Sequence, residues 1–180
     1  MQLTLDGYVA GTDDETDWLL SGDEEWADLF EDLEEADTII LGRKMYPEYS
    51  TYWQKVLGNQ DSEPNELKFA RLADLTPHIV FSRNEFKPDW KNTVVAHDLV
   101  AEISRLKQST GKNIIAWGGA DFAASLIEND MVDEFRFEVN PTLLIKGKGL
   151  FSHLRNRKRL QLISSKALPS GLVVLRYKNN

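Results

Sequence analysis

Three short stretches of this chain could do chemistry together. Leu41-Gly42-Arg43-Lys44, Phe81-Ser82-Arg83-Asn84 and Trp117-Gly118-Gly119-Ala120 each carry an apolar run into a turn that holds a glycine or a cation. Two successive glycines allow backbone torsions and a close approach that a side chain forbids. A helix beginning at Asp121 would turn its unpaired amides and positive dipole end toward an anion. Arginine adds a planar fork of donors matched to phosphate oxygens. Ligands of open α/β sheets lie beyond the carboxyl ends of the strands, so three such ends far apart in sequence can converge on one molecule. That molecule would carry several phosphates, as a dinucleotide does, and an arginine suits an adenosine 2'-phosphate, which favours NADP over NAD. The same residues also read more plainly, as strand-to-helix punctuation at Gly118-Gly119 and as surface arginines beside turns at Arg43 and Arg83.

The elements that must position these turns follow from hydrophobic spacing. Leu3 to Val9 suggests a short strand running into a loop at LDGYVAG, and Gly11 to Asp17 is too acidic for a core. From Asp23 to Ala36, the residues Trp26, Leu29, Phe30 and Leu33 fall at helical spacing behind three acids that suit the N-terminal dipole. The acids at 28, 31, 32, 34 and 35 are expected on a solvated face. Thr38 to Leu41 reads as a buried strand, and Arg43 to Tyr46 as the start of a short helix before Pro47. Thr51 to Glu66, with Gly58, Asn59, Asp61, Ser62 and Pro64, reads as a surface loop. A helix is expected over Asn65 to Leu75, strands at Ile79 to Phe81 and Thr93 to Ala96, and a helix through Leu99, Ile103 and Leu106. Ile114 to Trp117 then makes a strand, Asp121 to Ile127 a helix, and Val132 to Val139 a near-alternating strand stopped by Pro141. Leu160 to Ser165 and Gly171 to Tyr177 alternate around Pro169-Ser170-Gly171 as an antiparallel hairpin does. The pattern predicts one three-layer α/β domain over residues 1–180, with a mixed sheet parallel in its middle and antiparallel at its C-terminal edge.

Composition narrows the function classes. A formal net charge of -8, from 29 acidic against 21 basic residues, disfavours nucleic acid and anionic membranes as partners and leaves phosphates to local cations. With no cysteine there is no disulfide, no thiolate zinc site and no cysteine nucleophile. No signal peptide or membrane span is read, so a cytoplasmic location is expected. His78, His97 and His153 show no metal-ligand spacing, and no metal is expected. Trp18 and Trp26 could stack on a planar heterocycle, although the spacing of Trp26 places it in the core.

LDGYVAG, TIILGRKMY, HIVFSRN and the block from Ile114 to Phe151 occur in the order and spacing of a known family. Together they resemble the dihydrofolate-reductase-like family, in the branch of the riboflavin-biosynthesis reductase C-terminal domain and its stand-alone bacterial relatives. The resemblance implies a dihydrofolate-reductase-like fold with an eight-stranded mixed sheet and bound NADPH. It implies a reductase of a small pyrimidine-like (5-amino-6-(5-phosphoribosylamino)uracil-like) or pterin-like substrate, and it is compatible with a homodimer. Gly42 and Arg43 match the turn that approaches the cofactor phosphates, and Ser82 and Arg83 the turn that holds the 2'-phosphate. Gly118, Gly119, Ala120 and Asp121 match the pyrophosphate-facing turn and helix start. Ala10 matches backbone laid against the nicotinamide, and Asp6 resembles a catalytic position bordering the substrate, although aspartate before glycine is also a common turn pair. Two features depart from the pattern: only Met1 to Thr4 precede LDG, and no carboxylate of the first helix, Glu25 and Asp28 included, is singled out as a proton donor. A zinc deaminase motif is excluded by the lack of cysteine. The competing reading is a non-catalytic nucleotide-binding or regulatory protein that keeps the fold.

Overall fold

The structure is a computed structural model and describes residues 1–179. In chain order the elements are β1 (Gln2–Thr4), β2 (Tyr8–Ala10), α1 (Asp23–Glu34), β3 (Ala36–Gly42), α2 (Tyr46–Gly58), α3 (Pro64–Leu75), β4 (His78–Phe81) and β5 (Thr93–Ala96). They continue as α4 (Leu99–Gln108), β6 (Asn113–Ala116), α5 (Ala120–Glu128), β7 (Glu134–Asn140), β8 (Lys148–Gly149), β9 (Leu160–Ala167) and β10 (Val173–Asn179). Two compact units result. The mid-chain unit is Trp26–Gly119, and the terminal unit joins residues 1–25 to those from Ala120 on.

The mid-chain unit is built on four parallel strands in the order β5-β4-β3-β6. Ile39 and Leu41 on one face of β3 and Val80 on β4 enter a core cluster with residues of α1, α2 and α3, while Ile40 and Ile79, out of phase with them, are buried too. Burial on both faces is what a parallel sheet requires of its strands and explains their unbroken apolar runs. Phe69 of α3 is the centre of an aromatic cluster, with ring centroids 4.4 Å from Trp53 and 4.9 Å from Trp117. Complete burial of one such ring contributes about 2–3 kcal/mol. Trp26 stacks on Phe30 at 5.6 Å and packs against the same cluster, so it is a core residue, as its spacing indicates.

Three expectations fail here. Pro47 does not end a short helix but occupies the first turn of α2, where its missing N–H has no partner to lose. The stretch expected to be a loop from Thr51 is the body of that helix: Tyr49, Trp53 and Val56 recur at i, i+4 and i+7 and are all buried. Only residues 59–63 separate α2 from α3. Asp28 likewise leaves the solvated face assigned to it. It is 4% exposed and shares with Glu25, 8% exposed, the inward stripe of α1. A helix face that recurs every three to four residues carries whatever stands on it into the interior, acids included.

The terminal unit has a mixed sheet, β1-β7-β10-β9, and a two-stranded ribbon, β2-β8. β1 runs parallel to β7, and β7, β10 and β9 are successively antiparallel, so the C-terminal hairpin is present as expected. The fold is therefore α/β with parallel strands mid-chain and antiparallel strands at the C-terminus. Its ladders form two four-stranded sheets and the separate two-stranded ribbon. β7 is not simply half-buried. Glu138 on its polar face is buried and paired with Arg136, and Asn140, fully buried, donates from Nδ2 to Gln2 at 3.0 Å and accepts from the Leu20 amide at 2.9 Å. A buried polar face is tolerated only when satisfied in this way.

Candidate functional site

In the mid-chain unit the three turns singled out above lie side by side. Gly42 is in register with Phe81 and Ile40 with Ala116, so β3 and β4 end at one level and β6 ends two residues earlier, with Trp117 and Gly118 continuing the chain toward that level. The last ladder bonds close there: Trp117 N–H to Ile40 at 2.8 Å, Arg43 N–H to Phe81 at 3.0 Å, and Ser82 N–H to Ala96 at 3.0 Å. Three adjacent strands span about 10 Å, the scale of a diphosphate with a ribose attached. Gly42, Arg43, Ser82, Arg83, Gly118 and Gly119 thus share one carboxyl edge.

Each turn is locally fixed. The Arg43 guanidinium lies 4.2 Å from the centroid of Phe86, a cation–π contact that holds an otherwise mobile side chain. Ser82 closes its own turn, donating from Oγ to the Asn84 carbonyl at 2.6 Å and accepting from the Asn84 amide at 3.2 Å. Its proton is therefore spent inside the turn, and Arg83, exposed, is the outward donor. Gly118 has φ +105, a torsion that favours glycine, and a Cβ there would lie 1.7 Å from Met45 Sδ, so the flexible Met45 side chain would have to shift as well. Gly119 faces open space, with no atom within 4 Å of where its Cβ would be.

The remaining candidates belong to the terminal unit. Ala120 and Asp121 open α5, and Asp121 lies 3.4 Å from His153 Nε2. Ala10 pairs with Lys148 across β2 and β8, and Gly147 approaches so closely that a Cβ would stand 2.3 Å from the Ala10 carbonyl oxygen. Asp6 is exposed. Its carboxylate accepts from the Thr4 hydroxyl at 2.6 Å and from the amides of Leu144 at 3.2 Å and Ile145 at 2.8 Å. These donors, Thr4 first, hold its pKa below the usual aspartate value, because each bond is made to the charged form. A carboxylate engaged by three donors anchors the loop at residues 144 and 145.

The family described as RibD C-terminal domain matches residues 1–174. The chain belongs to the RibD C-terminal domain family. Among its relatives is Uncharacterized protein YyaP of Bacillus subtilis (strain 168), 31% identical over 181 residues, covering 100% of this chain and 93% of that protein. Among solved structures, a diaminohydroxyphosphoribosylaminopyrimidine deaminase/5-amino-6-(5-phosphoribosylamino)uracil reductase from Thermotoga maritima aligns at TM-score 0.71 and 13% identity, over 99% of this chain and 55% of that one. A dihydrofolate reductase from Enterococcus faecalis complexed with NADP(H) and RAB-propyl aligns at TM-score 0.63 and 14% identity, over 99% of this chain and 93% of that one. The shared fold is that of riboflavin-biosynthesis reductases and dihydrofolate reductase.

This RibD C-terminal domain also carries residues near the edge that its sequence does not single out. β5 ends in register with β4 and brings His97 to the same level, its Nδ1 2.8 Å from the Ser82 carbonyl and its Nε2 2.9 Å from Glu85 Oε1. A histidine without ligand spacing carried no signal, because only the ladder reveals which turn it faces. Glu25 accepts a hydrogen bond from Ser170 Oγ while buried in the terminal unit, an environment that no pattern of acids along α1 discloses. Trp18 is half-buried, and its indole Nε1 lacks a protein hydrogen-bond partner. Among the described residues no helix is long and apolar enough to cross a membrane.

Proposed function

We propose that this RibD C-terminal domain is an NADPH-dependent reductase of a small planar substrate, pyrimidine-like or pterin-like. The observation that carries the reading is the alignment of Arg43, Arg83 and Gly118-Gly119 on one carboxyl edge of the parallel sheet. These residue types fit the cofactor: two guanidinium groups for phosphates, and a glycine pair whose second member leaves open space for close approach. When bound, NADPH supplies the hydride. Arg43, braced on Phe86, and Arg83, thrust outward by the Ser82 turn, hold the phosphate-bearing half, with Arg83 on the 2'-phosphate. Asp6, charged and anchored, keeps residues 144 and 145 in place beside the ribbon that carries Ala10, so its role in turnover is positional. The pyrimidine-like substrate class follows the 5-amino-6-(5-phosphoribosylamino)uracil reductase named among the structural relatives, and the pterin-like class follows dihydrofolate reductase.

Titration of the protein's tryptophan fluorescence with NADPH and NADP tests this directly, since Trp117 adjoins the glycine turn. Saturable quenching below millimolar cofactor is expected, and its absence would refute the reductase reading. Replacement of Arg83 by alanine should weaken NADPH far more than NADH. A nucleotide binder without turnover is the second reading, favoured by the hydrogen bonds of Asp6 to Thr4, Leu144 and Ile145, which engage both of its carboxylate oxygens within the protein. Oxidation of NADPH in a panel of pyrimidine and pterin substrates separates the two.

A further inference from the structure

The group at the end of β5 extends the cofactor reading above and rests on it. His97 lies between two acceptors: its Nδ1 faces the Ser82 carbonyl at 2.8 Å and its Nε2 faces the Glu85 carboxylate at 2.9 Å. Both ring nitrogens thus face acceptors. The two partnerships differ in permanence. Nδ1 is tied to backbone, which fixes the ring against the β4 turn. Nε2 is tied to a side chain 88% exposed. An exposed pair of this kind contributes little and is readily exchanged. Glu85 is therefore a placeholder. It keeps the imidazole oriented beside the Ser82 turn, next in the chain to Arg83.

We propose that His97 is a specificity-determining residue for the cofactor, its Nε2–H exchanging Glu85 for the 2'-phosphate held by Arg83. The other charged groups around it do not compete for that role. Asp98 next to it caps α4, accepting from the Ala101 amide at 3.0 Å, and Glu102 one turn on is paired with Arg105. A phosphate offers three oxygens and up to two charges where Glu85 offers one charge, so the exchange favours the phosphate.

The test is the pair of dissociation constants for NADPH and NADH, measured by tryptophan fluorescence on the wild type, His97→Gln, Glu85→Gln and Arg83→Ala. His97→Gln should weaken NADPH by roughly 5–10-fold, the scale of one charge-assisted hydrogen bond, and leave NADH within about twofold. Glu85→Gln, on an exposed side chain, should tighten NADPH. If Arg83→Ala abolishes the preference for NADPH while His97→Gln and Glu85→Gln leave it unchanged, the role of His97 is refuted and the cofactor reading stands. If the wild type binds neither cofactor, both fall.

Discussion

His78 Nε2 lies 2.9 Å from the Tyr49 hydroxyl, inside the core of the mid-chain unit. The other ring nitrogen, Nδ1, is 2.8 Å from the Thr76 carbonyl, so Nδ1 carries the proton and Nε2 accepts from Tyr49. Trp90 stacks on the same ring at 5.2 Å. Burial pushes the His78 pKa down from 6.5 to about 4 and pushes the Tyr49 hydroxyl up, so both stay neutral.

The acid stability of the protein should reflect this histidine. Between pH 6.5 and 4 the unfolded chain binds a proton at His78 that the folded chain refuses, so stability rises with pH across that window and is lost as pH falls through it. The loss amounts to about 3 kcal/mol by pH 4. Urea midpoints measured from pH 7 to pH 4.5 should fall for the wild type and fall less for His78→Gln. Identical slopes would show that His78 is not the titrating group.

Tyr49→Phe removes the donor to Nε2 while keeping the ring. A buried acceptor without a partner costs about 1–3 kcal/mol, and equilibrium unfolding at pH 7.5 should report that loss. No change in midpoint would mean that a water replaces the hydroxyl.

Adjacent glycines should respond differently to the same change. Gly118→Ala imposes a Cβ at φ +105 against Met45 Sδ. The torsion alone costs about 1–2 kcal/mol, enough to lower the melting temperature by several degrees. Gly119→Ala meets nothing and should melt like the wild type. It should nonetheless weaken NADPH by about tenfold or more, because its methyl fills the space left for close approach. Thermal unfolding and cofactor titration on both variants check the contrast.

Gly147→Ala is expected to damage the ribbon. The added methyl would stand 2.3 Å from the Ala10 carbonyl oxygen, and backbone cannot swing aside as a side chain can. A destabilisation of about 1–3 kcal/mol is expected, with faster amide exchange at Tyr8 and Ala10 as the local signature.

Asp6→Ala should free the loop it anchors. Amide exchange at Leu144 and Ile145 should accelerate while the parallel sheet of the mid-chain unit keeps its protection. In the wild type the anchor is complete above the ordinary aspartate pKa of 3.8 and is lost as pH falls through the lower folded value. Unchanged exchange at both amides would remove the positional role assigned to Asp6.

The alternation and apolar runs of the sequence determine most of the elements, because strand and helix periods are local properties of side-chain direction. They also determine which residue types stand at the strand ends, namely the glycines and arginines of Gly42-Arg43, Ser82-Arg83 and Gly118-Gly119. They mislead at α2, where Pro47 and the polar residues from Thr51 onward resemble a loop. The burial of Tyr49, Trp53 and Val56, which makes that segment a helix, comes from partners elsewhere in the fold. Only the tertiary structure decides that Glu25 and Asp28 are inside while neighbouring acids are outside, and that Asp6 is an anchor. It alone brings His97 to the Ser82 turn. The register of parallel strands is set by long-range hydrogen bonds that no local window of sequence contains.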